Sequence, residues 1–405
     1  MGSGIRPLVH AKPGTGRVAR ERLPRNADGR GGSFRPPRCE LNAVRGSVRQ
    51  APSLDGCVEL DSAIVQLLTC PCCGGRLELS GATLLCRDEK CANTFPVVRG
   101  IPILINEETS LFSIDSLVRE GRSVAPRPRT WKAAVRRFLP SISKNIKGRE
   151  NYSLFRDLLV SREAPVRVLV LGGAIAGAGM EELLSDDRIE FVESDVAFGP
   201  RTGLICDAHD IPFEAQSFDG VIIQAVLYLL LDPFRCVEEI YRVLKSDGWV
   251  YAETPFMVPA IGGKFDFTRF THLGHRRLFR RFAEVSSGPV CGPGVALAWA
   301  YRHFLLSFAA SRAMRSALGA VADVTSFWLK YLDYYLIERP GAVDSAAGFF
   351  FLGKKAAEPL PDRELVELYR GCCGHGAPAA VPAAARRTRR AHDWGTADKE
   401  QREQP

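Results

Sequence analysis

Four cysteines come first, because their spacing specifies a chemistry. Cys70 and Cys73 form a C-x2-C pair in "CPCC", and Cys86 and Cys91 form a C-x4-C pair in "CRDEKC". Two such pairs on facing knuckles offer four thiolates, the tetrahedral donor set that zinc prefers. A closed set of four leaves no position for a substrate, so the Zn2+ expected here is structural. Cys72 competes with Cys73 as a ligand, and the C-x2-C spacing favours Cys73. Free buried thiols are the plainer alternative. The remaining cysteines, at 39, 57, 206, 236, 291, 372 and 373, are scattered and read as core or tail residues.

A second chemistry lies in "LGGAIAGAGM", Leu171 to Met180, which follows the apolar run "VRVLVL". A strand that enters a glycine turn and then a helix is a common way to hold a nucleotide. Gly172, Ala174 and Gly177 occupy the three places of the dinucleotide fingerprint, so its middle glycine is absent. That glycine lets backbone approach a pyrophosphate. A ligand without phosphate tolerates Gly173-Ala174 there. An acid roughly 20 residues on would receive ribose hydroxyls. Asp195, 22 residues after Gly173, is the first choice, and Glu193 is the alternative.

A third cluster lies in "FDFTRFTHLGHRRLFRRF". Asp266 and His272 have the chemistry of a general base. Arg269, with His275 nearby, has that of a clamp on an anionic substrate group. The same run also reads as a packed lid, with its Phe residues inside and an Asp–Arg pair tying the loop. Arg276, Arg277, Arg280 and Arg281 read as a solvated helix face.

The elements that must position these residues follow from periodicity. From Val166, strands ("VRVLVL", "IEFVES", "TGLICD", "FDGVIIQ", "GWVYAETP") alternate with helices ("MEELL", "PFRCVEEIYRVL"). Pro233 opens the second helix, where a missing N–H costs little. This alternation predicts an α/β fold, a Rossmann-like doubly wound parallel sheet with helices on both faces. An insertion at 255–283 would form a lid with a helix over about 274–283. Helices would follow at 295–338, then a last strand, "AGFFFLGKK". Upstream, 58–106 reads as a small cysteine unit, 107–150 as a linker with a basic helical piece, and 151–358 as the main domain. Residues 1–57 read as a disordered basic arm and 374–405 as a disordered tail.

Two resemblances sharpen this reading. "LLTCPCCGGRLEL…LLCRDEKCANTFPVVRGIPILI" resembles the zinc ribbon of the small activator subunit of tRNA, rRNA and release-factor methyltransferases. "ICDAHDIPFEAQSFDGVIIQAVLYLLLDPFRCVEEIYRVLKSDGWVYAETPF" resembles the core of class I S-adenosylmethionine (SAM) methyltransferases. "ETPF…DFTRFT…RRLF" is similar to a bacterial subgroup of them. The resemblance implies SAM as cofactor, held by Gly172, Gly173 and Gly177, with Asp195 on the ribose. It implies Asp207 on the adenine amino group, with the Ala208 amide beside it, and Gln224 beneath the cofactor. Asp207 also reads as a turn cap. Two positions depart from the pattern. Val170 stands where many relatives have an acid, and Tyr228-Leu229 stand where many have Glu-His.

The function so implied is methyl transfer to an O or N of a small-molecule, glycan or lipid-linked acceptor. A non-catalytic relative that serves as a binding partner, and an RNA methyltransferase, are the alternatives. Net charge is +8, but residues 1–57 hold ten Arg and one Lys against four acids, so the rest is nearly neutral. Bulk charge therefore gives no argument that the main domain binds nucleic acid. The N-terminus lacks the apolar core of a secretory signal, and no run reaches the ~18 uncharged apolar residues of a membrane span. A cytoplasmic location is the expectation. Oligomeric state is not encoded in any of these patterns.

Overall fold

The computed structural model describes residues 62–120, 139–161 and 165–372. The expected basic arm, the C-terminal tail and most of the basic helical piece lie outside the described residues. Eleven strands form one sheet. They are β1 (Leu77–Ser80), β2 (Thr83–Cys86), β3 (Thr94–Val98), β4 (Ile101–Leu104), β5 (Val166–Leu171) and β6 (Ile189–Asp195). They continue with β7 (Leu204–Cys206), β8 (Phe218–Gln224), β9 (Leu244–Pro255), β10 (Phe282–Cys291) and β11 (Gly348–Lys355). The longer helices are α1 (Gly148–Val160), α2 (Pro233–Val243), α3 (His272–Leu278), α4 (Pro293–Leu306), α5 (Arg312–Ser326) and α6 (Leu329–Leu336).

Spatial order is β1-β2-β3-β4-β7-β6-β5-β8-β9-β11-β10. From β7 to β9 neighbours are parallel, and β11 runs antiparallel to both β9 and β10. The chain winds outward from β5 to β7, then returns to place β8 on the other side of β5. The sheet therefore reverses direction at the β5/β8 boundary, the switch point where such folds bind ligands. This is the doubly wound α/β fold expected from the alternation.

Local chemistry explains the central elements. β8 is buried along nearly its whole length, as a parallel strand covered on both faces must be. α2 starts at Pro233, and the Asp232 side chain accepts from the Arg235 amide at 3.0 Å. Such a cap contributes about 1 kcal/mol. Cys236, Val237, Ile240 and Val243 then present one buried stripe. α1 covers the opposite face, where Tyr152, Phe155 and Leu159 pack with Val168, Val170, Ile222 and Tyr251.

The cysteine unit is built into the same sheet. β4 pairs in parallel with β7, Ile103 opposite Ile205 and Leu104 opposite Cys206. Leu68 bridges to Phe213, and the amides of Thr69 and Glu214 donate to the carbonyls of Pro212 and Leu67 at 3.0 Å each. Ile64, Leu68, Leu84 and Phe95 share one core with Ile211, Phe213 and Phe218. A unit of this size rarely stabilises itself by core burial. Here it borrows the core of its neighbour.

Two expectations change. The helix expected over 274–283 stops at Leu278, because Phe282 already belongs to β10. β10 was not legible: "FAEVSSGPVC" lacks alternation and contains Pro289. It is an edge strand with register irregularities at Glu284/Ser286 and Pro289/Cys291, where proline and bulges are tolerated.

Candidate functional site

Gly172 begins the turn at the carboxyl end of β5 with φ +77°. A Cβ there would lie 2.3 Å from Val226 Cγ2, so both backbone shape and space require glycine. At Gly177 a Cβ would meet Gln224 Oε1 at 1.5 Å. The turn is pinned to β6: the amides of Gly172 and Gly173 donate to the Ser194 carbonyl at 2.9 and 2.8 Å. Ala174, in the place of the fingerprint's middle glycine, is buried, and its amide donates to Asp195 Oδ2 at 3.2 Å.

Asp195 and Glu193 share one edge of β6 with different partners. Asp195 Oδ1 accepts the Ala197 amide at 3.1 Å, so its carboxylate links the glycine turn to the loop after β6. Burial pushes its pKa up, opposed by those amides. Glu193, half-buried like Asp195, accepts from Arg201 Nε through its Oε1 at 2.6 Å. Burial raises its pKa to about 7 against the pull of Arg201.

Beneath the turn lies a cavity of about 240 Å3 bordered by Val170, Gly172, Gly177, Gln224, Ala225 and Glu253. Ala225 has φ +55°, an unusual conformation for a residue with a Cβ. Its amide donates to the Glu253 carbonyl at 2.9 Å. The Glu253 carboxylate is the cavity's charged group. It accepts from Gln224 Nε2 at 2.7 Å, from Asn145 Nδ2 at 3.0 Å and from the Tyr251 hydroxyl. Burial raises its pKa, and these hydrogen bonds oppose the rise. Glu253 was not singled out from sequence, although "YAETPF" places an acid at the end of a buried strand.

Asp207 and Ala208 follow β7 and are almost fully buried. Asp207 Oδ1 accepts from the His209 amide at 3.0 Å and contacts His209 Nδ1 at 2.6 Å. The Asp232 amide donates to His209 Nε2 at 3.2 Å, so Nδ1 carries the proton given to Asp207. Ser110 Oγ donates to Asp207 Oδ2 at 2.5 Å, and Thr109 Oγ1 to Asp210 Oδ2 at 2.7 Å. Burial pushes the Asp207 pKa up, but the bonds from His209 and Ser110 outweigh it and the net shift is downward. The segment after β4, read from sequence as a linker, thus lies over the expected adenine end of the site. Its Phe112 also meets Phe265 of the lid, with ring centroids 5.8 Å apart.

The residues expected in the lid pair and pack with their neighbours. Both Asp266 carboxylate oxygens accept from Arg269, and Oδ2 also accepts the Gly262 amide at 3.0 Å. Burial raises the Asp266 pKa, and its partners, Arg269 foremost, turn the net shift downward. Arg269 donates further to the Pro259 carbonyl and lies 5.0 Å over the Tyr228 ring. His272 contacts Ser287 Oγ at 3.2 Å and packs on Phe349, while His275 packs between Phe270 and Phe279. Burial depresses their pKa values to about 4 and about 3. Phe349 is on β11, three strands from β5 and so roughly 14 Å across the sheet from the strand that carries the turn. Arg276, read as part of a solvated face, is buried and pairs with Glu284 at 3.0 Å.

The four predicted cysteines do converge. The Sγ atoms of Cys70, Cys73, Cys86 and Cys91 all lie within 4.8 Å of one another. Cys70 and Cys91 approach to 3.7 Å and Cys73 and Cys86 to 3.5 Å. Cys72 is exposed and outside the group. A mutually close tetrad of thiols fits a tetrahedral ion and offers it no open position.

With this geometry in place, the class is defined by a family match: residues 182–252 match the methyltransferase domain. The chain carries a methyltransferase domain on a Rossmann-like sheet. Over 130 residues it is 32% identical to the ubiquinone/menaquinone biosynthesis C-methyltransferase UbiE of Brucella canis, covering 30% of this chain and 44% of that protein. The chain thus spans less than half the length of the quinone-pathway relatives it matches. A further segment of 51 residues is 45% identical to the UPF0434 protein MS0934 of Mannheimia succiniciproducens, covering 12% of this chain and 80% of that protein. Through that segment the chain belongs to the UPF0434 family. Among solved structures, phosphoethanolamine N-methyltransferase 2 of Haemonchus contortus with S-adenosyl-L-methionine is similar at TM-score 0.37 and 15% identity, over 63% of this chain and 62% of that one. Among the described residues no helix is long and apolar enough to cross a membrane.

Proposed function

We propose that the chain is a SAM-dependent methyltransferase whose cofactor lies at the β5/β8 switch point, with a zinc ion held by Cys70, Cys73, Cys86 and Cys91 as a structural clasp. The observation that carries the reading is the glycine-dependent turn after β5, opening on a cavity, in a chain whose following 71 residues match the methyltransferase domain. Gly172, Gly173 and Gly177 let backbone approach the methionyl part and ribose. Asp195 takes the ribose hydroxyls, with Glu193 beneath it. Asp207 and the Ala208 amide receive the adenine, and Gln224 borders the cofactor from below. Bound SAM supplies an electrophilic methyl group on a sulfonium. The protein's part is in-line positioning of an acceptor, which by itself contributes most of several powers of ten in rate.

The acceptor is an O or N of a small-molecule, glycan or lipid-linked compound. Two readings of the lid stand: Asp266 or His272 as base with Arg269 and His275 on an anionic substrate group, or all four as packing of the lid; the Asp266–Arg269 pair and the burial of both histidines favour the second. A carbon acceptor is the second reading, favoured by the likeness to a protein named a C-methyltransferase. Calorimetric titration of the purified chain with SAM and with its demethylated product tests the whole reading. Saturable binding of both is expected, weakened at least tenfold in Asp195→Ala. If neither ligand binds at high micromolar concentration, the chain is a non-catalytic member of the fold.

A further inference from the structure

Large apolar side chains are unusually exposed on one part of the molecule. Phe304 is 61% exposed, Trp328 51% and Tyr335 65%, with Val321, Val324 and Tyr331 also open. Phe327 and Trp328 keep helical angles between α5 and α6 (φ −58°, ψ −27° and φ −73°, ψ −23°). The winding therefore continues, and residues 321, 324, 328, 331 and 335 repeat at helical spacing along one face. A continuous apolar stripe of this kind marks an interaction surface.

The charge around it has one sign. Between 293 and 339 the acids are Asp323, Asp333 and Glu338. Asp323 pairs with Arg302 at 2.9 Å, and Glu338 with Lys147 at 2.7 Å. Asp333 is buried, where it receives the Gly294 and Val295 amides at the start of α4. Arg339, one helical turn beyond Tyr335, is exposed, and Lys144 lies 5.8 and 5.0 Å from the Tyr331 and Tyr334 rings. Lys147, close by in the chain, pairs with Glu150 as well as Glu338, so among the described residues no acid is left open beside the face. The segment that carries Lys144 reaches the helices through Ser143, which accepts from Trp299 Nε1 at 2.8 Å, and Ser141, whose carbonyl accepts from Lys330.

We propose that α4, α5 and α6 form a docking face for a lipid bilayer carrying anionic headgroups. Trp and Tyr rings have an apolar body and a polar edge and settle at the headgroup level. Aliphatic side chains between them enter the acyl boundary, as in helices that lie on a membrane without spanning it. The surrounding Lys and Arg meet the negative surface potential. A second copy of the chain fits less well, because a two-fold contact would set the same cations against each other.

Flotation of the full chain with vesicles tests this, since it needs neither cofactor nor acceptor and so stands or falls apart from methyl transfer. Binding is expected to phosphatidylcholine vesicles containing phosphatidylglycerol, to be weak on phosphatidylcholine alone, and to fall as salt rises. Lys144→Glu with Arg339→Glu should lower partitioning by roughly tenfold or more. Trp328→Ser with Tyr335→Ser, at exposed sites where the fold and its melting temperature should persist, should abolish it. The proposal is overturned if the full chain ignores anionic vesicles. It is also overturned if binding survives the Trp328/Tyr335 change, which would assign it to the Arg-rich residues 1–57. A stable dimer dissociated by that change would identify a second copy as the occupant instead.

Discussion

Two acids on one edge of β6 divide the work at the residue scale. Asp195 is tied to backbone amides at the turn, while Glu193, equally half-buried, has Arg201 as its partner. Because the Glu193 pKa is raised to about 7 in the folded chain, the native state holds its proton where the unfolded chain has released it. Stability from this group is present below the unfolded carboxyl range and is lost as pH rises through about 7. Denaturant unfolding should show wild type losing on the order of 2 kcal/mol relative to Glu193→Gln between pH 5 and pH 8. An unchanged difference across that range would mean the carboxylate is ionised throughout. His275 has the opposite sign. Its pKa is depressed to about 3, so its contribution is present above the ordinary imidazole range and lost as pH falls toward 3. His275→Leu should therefore flatten the acid side of the stability profile, measured by melting temperature between pH 7 and pH 4.

At the element scale, the turn and the cysteine knuckles are the parts most open to test. Gly177→Ala puts a methyl group against Gln224 Oε1. Gln224 must then leave Glu253 or the turn must shift. SAM affinity should drop about tenfold or more by calorimetry with little change in melting temperature. The knuckles should carry one zinc per chain by elemental analysis. Cys86→Ser or Cys91→Ser should lose the metal and several kcal/mol of stability, while Cys72→Ser should keep both. Legibility also varied by element. β5, β8, α2 and β11 carry strong apolar runs or stripes, so periodicity alone placed them. β10 does not, because an edge strand paired on one side only needs little hydrophobic alternation.

Taken as a whole molecule, the cysteine unit and the methyltransferase domain share one sheet and one core through β4–β7 and the Leu68–Phe213 bridge. They should unfold together. Phe213 is fully buried, with its ring set edge-on to Phe218 at a centroid distance of 4.9 Å. Phe213→Ala should cost about 3–5 kcal/mol. Metal release and loss of near-ultraviolet ellipticity should then coincide in one transition, in wild type and variant alike. Two separate transitions would show that the shared core does not couple the units.

The sequence by itself determined the order of strands and helices from β5 to β9, the four thiols of the knuckles and the glycine turn after β5. Each of these is written in residues a few positions apart, where backbone periodicity and turn chemistry act. Only the tertiary structure decided that Ser110 lies on Asp207, 97 positions away, and that Asn145 and Gln224 bind Glu253, 108 and 29 positions away. It alone paired Asp266 with Arg269, set His272 on Phe349 and His275 on Phe279, and left the helices from α4 to α6 with an open apolar face. The reason is physical: which polar group is buried against which is set by how the sheet stacks distant segments, and no spacing along the chain records that.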